Sequence, residues 1–141
     1  MIPLVAVALL GSSSPQDSAV KLDLEKFQGN WQATLVVNVN GESAPQDQVR
    51  DTQLKVEGTK FVLRSKDAVV KGTFTIDPSR TPKTIDVVLE GQNPNEKLLG
   101  IYRIDGDERR SCFALPGKDR PKDFDPCLPG YIAFTWKFKT R

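Results

Sequence analysis

The chain predicts an all-β fold: an eight-stranded antiparallel up-and-down barrel with a short N-terminal helix. Three observations carry the prediction. Apolar side chains recur with period two almost everywhere from Trp31 to the end. The segments with that pattern are separated by short stretches rich in Gly, Pro, Asn and Asp, most of them hairpin-sized. No amphipathic helical run exceeds about two turns. Strands with one apolar face must hide it in a sandwich or by closing on themselves. Hairpin-length links favour the closed meander, and eight strands is the size at which a barrel interior just fills or holds one small ligand.

A short helix is expected in "KLDLEKF" (21–27), and a further turn of helix in "PQDQVRD" (45–51). The first strand, 31–39, places Trp31, Ala33, Leu35, Val37 and Val39 on one side, with Gln32, Thr34 and Asn38 on the other. In 52–57, Leu54 and Val56 share a face, and "EGTK" turns the chain at Gly58. Phe61 and Leu63 align in 60–65, and Val70, Phe74 and Ile76 in 69–76, where Gly72 marks a bend or close approach. The stretch "DPSRTPK" is a turn, because Pro78 and Pro82 cannot donate to a ladder. Ile85, Val87 and Leu89 alternate through 84–90. Strand 97–104 runs into a "DGD" hairpin turn, and 108–114 pairs back. After a proline-rich loop, 131–139 closes the chain with Ile132, Phe134, Trp136 and Phe138 on one face. Strands 97–104 and 108–114 alternate less cleanly, and a bulge there would decide the facing of Arg103 and Arg110.

Composition excludes several functions. The 20 basic and 18 acidic residues are interspersed, so the net charge of +2 leaves no electrostatic footprint for nucleic acid. Arg109, Arg110 and the tail residues Lys137, Lys139 and Arg141 read as solvent faces of strands. The chain has no histidine, which removes Ser-His and Cys-His nucleophiles and nearly all zinc or copper sites. Asp105, Asp107 and Glu108 fall in a turn, and Asp119, Asp123 and Asp125 are scattered along a loop without calcium-loop spacing. No catalytic residue, metal ligand or cofactor is expected, and the chain reads as a non-enzyme.

Residues 1–19 read as a signal peptide and leader, and 20–141 as the folded domain. The run "IPLVAVALL" is too short to span a membrane and is followed by small residues, as in a short secretory signal. A positive n-region is missing, and an extra apolar strand or helix is the alternative. Export to the periplasm or beyond is the expectation, with no integral membrane span. Cys112 and Cys127 enclose 14 residues. In an oxidising space they are candidates for a disulfide worth roughly 3 kcal/mol by the chain-entropy argument; elsewhere they would be two thiols.

The "GNW" of Gly29, Asn30 and Trp31, after a helix and opening the first strand, resembles the first signature of the lipocalin superfamily. That resemblance implies a Trp plugging the closed end of the barrel beneath a basic side chain near the last strand, here Arg141 or Lys139. A wider set, "FQGNW", "GTKF", "GTFTIDPSRTPKTID", "LLGIYRIDGD" and "CFALPGKDRPKDF", resembles a small lipocalin-like (calycin-type) domain family expanded in planctomycetes. It implies fold and compartment and assigns no chemistry. Cys127 lies outside those stretches. Gly29 and Trp31 are accordingly expected to build the barrel floor.

Two functions fit. The first is binding of a small, mostly apolar ligand inside the barrel, against an inward set of Leu35, Leu54, Phe61, Phe74, Val87, Tyr102, Phe134 and Trp136. Within it Leu35, Phe74, Tyr102, Phe134 and Trp136 are the expected lining, with Tyr102 as the polar group. The small residues Ala33, Gly72 and Gly100 would leave volume at the end away from Trp31; a face this rich in rings could equally fill the barrel. The second is a protein-interaction scaffold using rim loops 115–130 and 77–83. No motif names a protein partner.

Overall fold

The computed structural model describes residues 15–93, 95–124 and 129–141. Most of the expected signal segment and Cys127, hence the Cys112–Cys127 pairing, lie outside these residues. Helix α1 (Pro15–Phe27) leads into β1 (Gly29–Val37), and a five-residue helix, α2 (Gln46–Arg50), precedes β2 (Gln53–Glu57). Then follow β3 (Lys60–Arg64), β4 (Val69–Asp77), β5 (Lys83–Leu89), β6 (Leu98–Asp105), β7 (Glu108–Ala114) and β8 (Tyr131–Thr140). Every strand pairs antiparallel with its sequence neighbour, and β1 pairs with β8, so the sheet is a closed barrel without edges. No helix among the described residues is long and apolar enough to cross a membrane.

Helix α1 begins at Pro15, earlier than the "KLDLEKF" pattern indicates. It lies across one end of the barrel with Asp23 and Phe27, four residues apart on one face, both buried. Gln28 ties its C-terminus to the β2–β3 turn, donating from Nε2 to the Leu24 and Gly58 carbonyls and accepting the Gly58 N–H at 2.6 Å. That is the closed end. Gly29 takes φ +114°, and a Cβ there would lie 2.6 Å from the Thr140 carbonyl oxygen, so the approach of β8 admits glycine only. Trp31 follows, 1% exposed, with its indole N–H donating to the Phe27 carbonyl at 2.9 Å and its ring edge-on to Phe138.

The alternation of β1 does not run through unbroken. Its register against β8 passes from Ala33↔Trp136 to Leu35↔Thr135, so Thr34 is an extra residue in a bulge. Beyond it the facing switches. Val36 turns inward opposite Phe134 and is buried, while Leu35 is 40% exposed on the outside wall. Leu35 is therefore not a lining residue, contrary to the sequence alternation.

The two loops expected at one rim lie at opposite ends. Residues 77–83 turn beside α1 at the closed end, where Lys83 Nζ reaches Asp23 at 3.0 Å. Residues 115–124 leave the open end and fold down over the outer wall of β5–β7. There Arg120 donates to the Gly100 carbonyl at 2.9 Å and pairs with Asp86 at 2.7 Å. Phe124 sits against Arg103 and Arg110, which both face outward. Beneath this loop Ile101 and Cys112, though on the outer face, are buried.

The bulge is testable by paired substitutions. Leu35→Ser should change stability by less than about 0.5 kcal/mol, whereas Val36→Ser, losing apolar burial and sinking a hydroxyl, should cost on the order of 2 kcal/mol. Urea unfolding of both variants decides it; equal losses would place Leu35 in the core.

Candidate functional site

The barrel closes at one end with aromatic rings. Phe27 of α1 stacks on Phe74 (centroids 5.4 Å) and meets Tyr102 edge-on at 5.0 Å, beside Trp31 and Phe138. Tyr102 lies in this floor. Its hydroxyl donates to Asp23 Oδ2 at 2.7 Å, and burial, with that bond to a carboxylate, pushes its ionisation far above the ordinary phenol value. It is a structural group and does not line the cavity described next.

Above the floor the interior is open. A cavity of about 210 Å³ runs up between the strands, walled by Leu54, Val56, Phe61, Phe74, Ile85, Val87, Phe113, Phe134 and Trp136. Toward the far end it is ringed by Leu63, Val70, Leu89, Leu98 and Ile132, all inward-facing yet partly exposed. They stand at the strand ends away from Trp31, and that end is the mouth. Phe74, Phe134 and Trp136 thus line the cavity. Gly72 and Gly100 do not themselves face empty space: the Phe61 ring covers Gly72 and the Phe113 ring covers Gly100, each within 2.9 Å of where a Cβ would stand.

Two lining residues are polar, Arg109 and Ser111. Arg109 corrects the reading of the Arg109-Arg110 pair as a solvent face: it points inward near the base of the cavity and is only 6% exposed. Its guanidinium lies 4.4 Å from the centroid of Phe27 and 5.5 Å from that of Trp31. The basic group over the floor Trp is therefore Arg109 of β7, not Lys139 or Arg141. Burial pulls its pKa down to about 9, against a smaller opposing effect of Tyr102, and it stays charged at neutral pH. Among the described residues no carboxylate forms an ion pair with it. Arg109 Nε and Nη1, Ser111 Oγ and Trp136 Nε1 are all buried without a hydrogen-bond partner.

These groups are neighbours by register. Arg109 and Trp136 are direct partners across β7–β8, and Ser111 follows Arg109 on the same face. The signal was present in the hairpin count. Asp105 pairs with Glu108, which sets Arg109 opposite Ile104, Ser111 opposite Tyr102 and Phe113 opposite Gly100. Once Tyr102 faces inward, so must Arg109 and Ser111. Among the described residues no group of three or more His, Cys, Asp or Glu side chains is placed to hold a metal ion.

No protein-family model, curated protein or solved structure matches this chain. The site is read from its geometry.

The Tyr102–Asp23 bond holds α1 on the barrel end. Tyr102→Phe keeps the ring packing and leaves Asp23 with Lys83, so it should cost about 1–2 kcal/mol in urea unfolding. A loss near zero would show that α1 is held by its apolar contacts alone.

Proposed function

We propose that the protein binds one small, mostly apolar molecule inside the barrel, taken up through the end away from Trp31, as an exported lipocalin-like carrier. One observation carries the reading: the interior above the aromatic floor is an unfilled apolar cavity with a solvent-reaching mouth. An engineered apolar cavity of about 150 Å³ takes a benzene ring, so about 210 Å³ holds a group on the order of eight to ten heavy atoms. Pockets for drug-sized ligands begin at about 300 Å³, so the ligand is smaller than these or leaves part of itself in the mouth. The apolar run at residues 2–10 supports export, and the absence of histidine supports binding without turnover.

The test is titration of ¹⁵N-labelled full chain with 1-octanol, following backbone amide shifts. Saturable one-to-one shifts should concentrate in the strands that wall the cavity. Leu89→Trp, which fills the mouth from a partly exposed position, should weaken binding at least tenfold while leaving the spectrum folded. Absence of saturable shifts in the natural protein, with 1-octanol and with its carboxylate analogue octanoate alike, would overturn the carrier reading.

A further inference from the structure

The base of the cavity is built against the chemistry of its walls. A wholly apolar ligand would leave a guanidinium, a hydroxyl and an indole N–H buried and unpartnered beneath it. Such groups each carry a desolvation cost, largest for the charge. Stacking on Phe27 and Trp31 offsets part of that cost for Arg109 but supplies no hydrogen-bond acceptor. Ser111 Oγ can also accept; Arg109 Nε and Nη1 and Trp136 Nε1 can only donate. What is missing is an acceptor bearing negative charge, and no described carboxylate of the chain supplies it.

Building on the carrier reading, we infer that the ligand is an amphiphile with an anionic carboxylate head, bound head-down with the carboxylate on Arg109, Ser111 and Trp136 and its apolar tail toward the mouth. A carboxylate matches the one positive charge, where a dianionic phosphate would leave a net charge buried. Its two oxygens also provide enough lone pairs for donors on three side chains. The tail direction follows from the walls, which carry no polar group between Ser111 and the rim formed by Leu63, Val70 and Leu98.

The experiment compares octanoate, methyl octanoate and 1-octanol on the full chain at neutral pH, by the same amide-shift titration. Octanoate should bind at least tenfold more tightly than either neutral analogue, with its largest shifts at Arg109, Ser111 and the indole N–H of Trp136. In Arg109→Met, of similar length, octanoate should weaken at least tenfold while octanol is held as before. The thermal midpoint of that variant should not fall, because a lone buried charge has been removed. Ser111→Ala should weaken octanoate by a smaller factor. Octanol binding with no preference for octanoate would overturn the head-group assignment and leave the carrier reading standing; binding of none of the three would overturn both. Should Arg109→Met fail to fold, the preference for octanoate over its methyl ester in the natural protein decides the question alone.

Discussion

The structure depends on how Trp31 is packed. Its indole N–H is bonded to the last residue of α1, its ring meets Phe138 at the end of β8, and the Arg109 guanidinium of β7 lies over it. One side chain of β1 therefore joins the helix to β7 and β8, and the pairing of β8 with β1 completes the closure. The backbone must pass close to β8 just before it, and that is why residue 29 is a glycine at positive φ. A barrel this size needs such a plug, because eight strands enclose a space that side chains must fill at one end if the other is to remain open.

The plug also determines the chemistry above it. Phe27 and Trp31 offer ring faces to Arg109, which can be held charged in an apolar interior with no described carboxylate paired to it. Asp23, the buried carboxylate nearest in the chain to Phe27, is occupied by Tyr102 and Lys83. The floor thus separates its charges: the acid is satisfied below the rings, and the base is left facing the cavity. An interior packed only for stability would gain from exchanging that arginine for an apolar residue of similar volume.

Two features keep the interior from filling although it is rich in rings. Phe61 and Phe113 pack over Gly72 and Gly100 of their neighbouring strands, so part of their bulk is taken up at the wall. The long loop after β7, which could have capped the mouth, is instead anchored along its described part to the outer wall by Arg120. The described part of that loop thus packs on the shell and leaves the cavity mouth uncovered.

Much of the fold was legible in the sequence because strand faces obey a strict period of two and the turns carry their own residues. The eight strands, the closed meander and the inward facing of Phe74, Phe134 and Trp136 follow from that local pattern, whereas the floor role of Trp31 was implied by the resemblance of its Gly-x-Trp. Leu35 was misread because a bulge at Thr34 is a property of how β1 meets β8 across the closure, and nothing in "QATLVV" marks it. Adjacent arginines resemble a solvated face, and the count across the β6–β7 hairpin sets Arg109 inward only once Tyr102 is known to face the interior, which the closed barrel decides. Local alternation thus determined which residues could share a face. Which face looks inward, and what remains unpartnered there, was decided by long-range register, since only the closed barrel brings β1, β7 and β8 around one space.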